Sequence, residues 1–358
     1  MKDMKKNDDF PEMMKALIVE SPGYISIKKL KKPVPGPYEA LVRMEMAAIC
    51  NSTDLKIVNG KFPGINSYPT TLGHEGIGRV VSAGSKVRSF KVGDRVLNPM
   101  TLKTGVEGLS SSWGTMAQYS LVGDFAAMVE DGVCDEEHGF DSSFQTQKTI
   151  PPEIPNREVI LLPTWREVFS SFSDFGITKE KSILIFGGGP VGLSFVAIAK
   201  AYGLKNVCLS TRSDWKLKKA NKLEANQVFK TDDDLIFNCR NYMACGFDII
   251  IDAVGEQEII NAGISLISFN GTIGVYGTIS QKDLVLRNVS SQYNWKLVLH
   301  QWPDYEREAA AHEPLCEMIR KRQISSHEFI THEIEFEDII EAFDLIKQNK
   351  ALKVIVNF

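Results

Sequence analysis

The spacing of apolar and polar positions changes rhythm a little before the middle of the chain. In the first part, short apolar-rich runs such as Ala40 to Val42, Ile77 to Val81 and Arg95 to Leu97 alternate with turns bearing Pro and Gly (PVPGP, SAGSKV, KVGDRV). Short strand-like segments at that spacing predict a barrel-like or sandwich-like β domain. Between Met128 and Ile154 the text turns polar and acidic, which predicts a long surface loop. Past Leu161, helical and extended segments alternate. A helix is predicted from Thr164 to Phe172, then a strand from Ser182 to Phe186, a Gly-rich turn and a helix from Gly192 to Tyr202. A strand from Val207 to Ser210 leads to a helix from Asp214 to Leu223. The strand Asp248 to Asp252, the helix Ile259 to Ser268 and the strand Thr272 to Tyr276 follow. Such alternation implies a parallel sheet built from right-handed crossovers. Beyond Ser290 the pattern is mixed and ends in the strand-like KVIVNF. The expected layout is a β-rich domain over 14–162, a doubly wound α/β domain over 163–290 and a return segment over 291–358.

Composition narrows the classes. A chain of 358 residues, 43% apolar and 24% charged, supports about two cored domains and is not globally disordered. The net charge of −4 offers no general attraction for nucleic acid. No apolar run approaches the roughly 20 residues a membrane span needs. The opening MKDMKKNDDFPEM has no apolar stretch of the secretory kind, so 1–13 reads as a disordered tail. The six cysteines (50, 134, 208, 239, 245 and 316) lack the spacing of a disulfide framework, which points to a reducing cytoplasm.

The Gly-rich turn carries the first chemistry. Gly187-Gly-Gly189-Pro190-Val191-Gly192 follows the strand SILIF and opens an apolar helix, the context that a dinucleotide fingerprint requires. Gly187 would permit the tight turn, Gly189 the approach of a pyrophosphate and Gly192 close helix–strand packing. The helix N-terminus would supply unsatisfied N–H groups to the phosphates. At the end of the second strand the text reads Ser210-Thr211-Arg212-Ser213, where an NAD site usually places an acid. Two hydroxyls and a guanidinium, with Lys216 one turn on, suit a 2′-phosphate and favour NADP. The alternative is that Arg212 is a solvated charge and Asp214 serves the ribose of NAD.

A second set of residues lies in the β half. Cys50, with Ser52, Thr53 and Asp54 close behind, and His74-Glu75 bring together a thiol, an imidazole and carboxylates. These suit zinc, and three protein ligands with an open fourth position suit catalysis. Buried free cysteines are also common, so one Cys and one His 24 residues apart leave both readings open.

These elements occur in long ordered blocks: MKALIVE, the cysteine element, GHEGIGRVVSAGSKVRSFKVGDRV, GGGPVGL, DIIIDAVG, NGTIGVYG and the ending FITHEIEFEDIIEAFDLIKQNKALKVIV. From Met14 to Phe358 the chain resembles the zinc-dependent medium-chain dehydrogenase/reductase family, which includes alcohol, polyol and sugar dehydrogenases. The resemblance implies a GroES-like catalytic domain beside a Rossmann domain. It implies that Cys50 and His74 bind the catalytic zinc, with Glu75 as alternating ligand or supporting partner, and that Ser52 or Thr53 relays the substrate proton. Asp54 is then placed to orient His74. The family often reads C-x-[ST]-D, whereas this chain has one residue more. A gapless register back from Gly187 puts Pro163 at the third ligand position, where it cannot ligate. Glu167, one helical turn on, is the expected ligand, against the plain reading of a surface-paired carboxylate. Many relatives carry a four-cysteine structural zinc lobe after GDRV, and here that stretch has no cysteine. His138, His300, His312, His327 and His332 show no ligand spacing. The expectation is a zinc-dependent, NADP-preferring oxidoreductase of secondary alcohols, polyols or sugars, assembled as a homodimer or homotetramer. The alternatives are a zinc-free enone or quinone reductase of the same fold and a nucleotide-binding protein without catalysis.

Overall fold

Alternating apolar positions of the first part fold as antiparallel strands because one face of each is buried. The computed structural model describes residues 12–279, 281–287, 292–302 and 304–358, so most of the tail expected over 1–13 lies outside the described residues. The chain divides into two compact units, one made of the residues up to Ile160 together with Ile330–Phe358, the other of Leu161–Phe329.

In the first unit, Tyr24–Lys31, Met13–Ser21 and Thr70–Thr71 form one small sheet. A larger one runs Ile330–Glu335, Lys353–Asn357, Glu39–Ala48, Gly76–Ala83, Arg95–Leu97 and Lys148–Thr149, with Tyr119–Gly123 paired to Glu39–Ala48. Strand Glu39–Ala48 is the hub: the C-terminal strand pairs with its end at Met46–Ala48, two residues before Cys50. Leu17, Ala47, Ile49, Ile57, Phe343, Val354 and Val356 close the core beneath it. Each such Leu, Ile, Val or Phe contributes about 1.5–3 kcal/mol by leaving water.

The segment expected as a loop holds more structure than its polarity suggests. Asp124 caps a helix, Phe125–Asp131, by accepting from the Ala127 N–H, and Gly132 ends that helix in the left-handed region. Asp141 caps the 3-10 turn Ser142–Thr146 in the same way. Polar residues are here because they cap, which composition does not distinguish from solvation.

The second unit has, among the described residues, a six-stranded parallel sheet in the order Gln227–Lys230, Asn206–Thr211, Ser182–Phe186, Phe247–Asp252, Ile267–Val275, Trp295–Leu299. That order, reversing on either side of the first strand, is the doubly wound Rossmann arrangement that the alternation predicts. Leu184, Phe186, Ile250, Ile264, Ile273 and Val275 form its core. The unit continues to Phe329 instead of ending near residue 290. Helices Tyr305–Ala310 and His312–Arg320 belong to it because Glu308 pairs with the fully buried Arg166 at 3.0 Å and Phe329 packs edge-on to Trp165. Among the described residues no helix is long and apolar enough to cross a membrane.

Candidate active site

Cys50 stands in the turn between strand Glu39–Ala48 and the short helix Thr53–Val58. The turn is held from both sides. Asp54 accepts the Cys50 N–H at 2.8 Å, Ile49 N–H donates to Val354 O at 3.0 Å, and the Asn51 amide donates to Leu352 O at 2.7 Å. Ser52 is exposed at the start of the helix and Thr53 is half-buried. His74 and Glu75 sit just before strand Gly76–Ala83. Gly73 precedes them at φ +102°, where a Cβ would lie 2.5 Å from Thr115 Oγ1, so only glycine fits that bend.

The Cys50 sulfur, a His74 nitrogen and a Glu75 oxygen lie within 4.8 Å of one another. Tetrahedral zinc with bonds of about 2.0–2.3 Å spaces its ligands about 3.3–3.8 Å apart. The set therefore closes on a cation with shifts on the order of one ångström, and its S, N and O donors are those zinc takes. Burial works against a charged imidazolium, yet the Asp54 carboxylate, 3.4 Å away, and then Cys50 hold the His74 pKa well above its ordinary value. Asp54 Oδ1 and His74 Nδ1 are both buried and make no hydrogen bond of good geometry. The thiol, the imidazole and the carboxylate thus converge as a donor set of the kind a cation takes.

Sequence reading missed one partner. Lys353, on the C-terminal strand, pairs its Nζ with Glu75 Oε2, and both side chains are almost wholly buried. Burial opposes its charge, but Glu75 outweighs burial and raises its pKa. Its signal was a lysine inside the apolar run ALKVIV. Glu167 lies in the second unit on helix Leu162–Phe175, which Pro163 enters at its first turn, and accepts from the Tyr276 hydroxyl at 3.2 Å. Of the remaining histidines, His138 pairs with Asp135 at the surface, His300 with Asp174 in the second unit, His312 is buried and His327 is exposed.

In the second unit the strand–turn–helix is formed by Ser182–Phe186 and Pro190–Tyr202, with Gly189 at the cap and Pro190 at the first helical position. Gly187 has φ +108°, and a Cβ there would meet Val254 at 2.8 Å. A Cβ on Gly192 would lie 1.8 Å from Gly187 O, whereas one on Gly189 would meet nothing within 4 Å. Beside this open face, Val191 is half-buried and Asp252 is buried; its carboxyl accepts from the Val254 and Gly255 N–H groups. Burial pushes the Asp252 pKa up to about 6. At the end of strand Asn206–Thr211, Thr211 is buried, Arg212 is exposed and Ser213 opens helix Asp214–Lys222. Asp214 is taken by Lys230. Lys216 is half-buried over the Trp215 ring, and burial lowers its pKa.

Known proteins share this architecture. The family model of the alcohol dehydrogenase GroES-like domain matches 36–131, and that of the zinc-binding dehydrogenase matches 190–302. Sorbitol dehydrogenase of Homo sapiens is 25% identical over 365 residues, covering 95% of each chain. The chain belongs to the zinc-type medium-chain dehydrogenase family. Two solved structures carry the same fold. The rspB alcohol dehydrogenase of Escherichia coli CFT073, complexed with NADH, has TM-score 0.80 at 21% identity, covering 97% of this chain and 100% of that one. A putative zinc-binding dehydrogenase of Sinorhizobium meliloti 1021, bound to NADP, has TM-score 0.74 at 23% identity, again over 97% and 100%. These relatives do not favour the zinc-free reductase.

As a member of this family the chain departs from many others after the GDRV block. Where they place four cysteines, hydroxyls cross-link the segment. Thr70 pairs with Ser112 at 2.9 Å, Thr101 with Ser120 at 3.0 Å, Ser110 donates to Pro69 O at 2.9 Å and Thr104 to Leu109 O at 2.8 Å.

Proposed function

We propose that the protein is a zinc-dependent dehydrogenase that passes hydride between a secondary alcohol, polyol or sugar and NADP. The observation that carries this reading is the convergence of a thiol, an imidazole and a carboxylate at Cys50, His74 and Glu75, whose ligand atoms lie within 4.8 Å of one another. Cys50, His74 and Glu75 would hold zinc, which would supply Lewis acidity toward the alcohol oxygen, and a bound nicotinamide would supply the hydride acceptor. The chain's own residues do the rest. Asp54 orients His74 and holds the Cys50 turn. Lys353 balances Glu75, and Ser52 or Thr53 takes the hydroxyl proton toward solvent. The open face at Gly189 and the N–H groups of Pro190–Tyr202 receive the pyrophosphate.

NADP is preferred over NAD because Asp214, the acid at hand for a ribose, is engaged by Lys230, while Arg212 is exposed beside Thr211 and Ser213. Arg212→Ala is expected to lower kcat/KM for NADP by about 10- to 100-fold, the worth of one charge-assisted bond, and to leave NAD within a factor of two. An equal loss with both cofactors would assign Arg212 no part in the choice.

Among the described residues the edge strand Trp295–Leu299 has a neighbour on one side, and Phe269, Leu299 and Trp302 are exposed, which supports a homodimer or homotetramer through this unit. The six cysteines form no disulfide among the described residues, which supports a reducing, cytoplasmic setting.

Metal content measured beside activity tests the central reading. About one zinc per chain is expected, with activity lost on chelation and both lost in Cys50→Ala. Metal-free protein that reduces enones with undiminished NADPH oxidation would sink it.

A further inference from the structure

The first unit places an aromatic wall beside the metal-suited cluster. The Trp113 ring lies 5.3 Å from that of His74 at 63°, and Phe62 meets Trp113 edge-on at 6.0 Å and 85°. Both aromatics are half-buried and pack on the rim of the core under Cys50. Trp113 is held there against backbone preference. Its φ is +66°, a conformation bulky residues rarely adopt, and its carbonyl accepts from Thr101 N–H at 2.7 Å. Strain of this kind concentrates where a side chain must be presented in one direction.

The residues before it could have made a hydroxylated surface, but their hydroxyls turn elsewhere. Ser110 donates to Ser67 O at 2.8 Å, Ser111 to Thr101 O at 2.5 Å, and Ser112 pairs with Thr70. What the segment offers beside His74 is an indole.

We infer that Trp113, backed by Phe62, selects the substrate: the site takes a secondary alcohol whose carbinol carbon belongs to, or is joined to, a ring with an apolar face, and disfavours open-chain polyols. The inference rests on the alcohol-dehydrogenase reading. A ring face stacks on indole with its C–H or π surface. A polyol hydroxyl pressed on the same surface gives up its water partners and finds no acceptor. One unmet hydroxyl is a discrimination of about 10- to 100-fold.

The experiment compares kcat/KM for 1-phenylethanol and cyclohexanol with that for sorbitol, xylitol and lactate, in the zinc-loaded enzyme with NADP and with NAD. It is repeated in Trp113→Ala and Trp113→Phe. The wild type should prefer the ring alcohols by at least 10-fold, W113A should erase that preference, and W113F should keep most of it. Quenching of tryptophan fluorescence by cyclohexanol, present in the wild type and reduced in W113F, reads contact without turnover and does not depend on W113A folding well. A wild type that prefers sorbitol, xylitol or lactate overturns the inference, as does an unchanged ratio in both variants. In those cases zinc-dependent oxidation of sorbitol leaves the parent reading standing. No zinc and no oxidation of any of these alcohols brings down the parent reading and the inference with it.

Discussion

Replacing Lys353 with methionine is expected to lower the unfolding free energy of the metal-free protein by about 3–5 kcal/mol, the cost of leaving one partner of a buried ion pair alone. Lys353 and Glu75 are 1% and 4% exposed, so water cannot take over the lysine's role. The pair also joins the C-terminal strand to the segment that holds His74, and Val354 O on the same strand accepts the Ile49 N–H beside Cys50. A second substitution distinguishes charge from packing. In Lys353→Met/Glu75→Gln the orphaned charge is gone, and most of the loss should be recovered. Zinc provides an independent readout. A cation beside Glu75 can meet the freed carboxylate, so zinc-loaded K353M should lose less stability than chelated K353M. Urea unfolding of the three proteins with and without chelator measures all of this. An unchanged midpoint in chelated K353M would mean that the pair carries no net stabilisation in the fold.

The doubly wound unit was legible because two independent signals agreed: apolar runs of strand length, and a Gly-rich turn between the first strand and helix. Even there the helix begins at Pro190, not Gly192, and the proline at its first position was the cue. The β-rich unit was legible as a class but not in its pairing. The return point was obscured because helices Tyr305–Ala310 and His312–Arg320 are amphipathic, and amphipathicity does not say which core a helix joins. Arg166 and Glu308 settle it, as residues 142 apart in the chain that meet in a buried pair. At the site, the types and spacing of Cys50, His74 and Glu75 left both readings open, and it was the resemblance to the family that singled them out. Lys353 could not be named, since a partner 278 residues from Glu75 leaves no local periodicity. Trp113 was hidden for another reason. Its importance lies in a backbone conformation that sequence disfavours, so propensity argues against the very geometry it adopts.

Gly192→Ala is expected to be the most damaging single methyl in the cofactor unit, costing about 3 kcal/mol or more and abolishing dinucleotide binding. The added Cβ would stand 1.8 Å from Gly187 O, and that oxygen has nowhere to go. Gly187 N–H is bound to Ser210 O at 2.8 Å, and Phe186 O accepts from Ala253 N–H at 3.0 Å, so the turn is tied to strands on both sides. Relief must come from helix Pro190–Tyr202 lifting off the sheet, which exposes the buried Leu193, Val196 and Ala197 and misdirects the N–H groups meant for phosphate. Gly189→Ala makes the contrast. Its φ of −76° suits alanine and its Cβ meets nothing, so stability should fall by at most about 1 kcal/mol, the deficit of alanine at a helix cap. Yet the methyl fills the face where the pyrophosphate must approach, and NADPH affinity should drop by about 10- to 100-fold. Thermal unfolding and fluorescence titration with NADPH separate the two cases. If Gly189→Ala binds NADPH as well as the wild type does, the phosphates do not cross that face and the assignment of the turn is mistaken. If it folds normally and binds poorly, the empty space at Gly189 is reserved for the ligand, and the crowding at Gly192 is what the fold requires to keep it open.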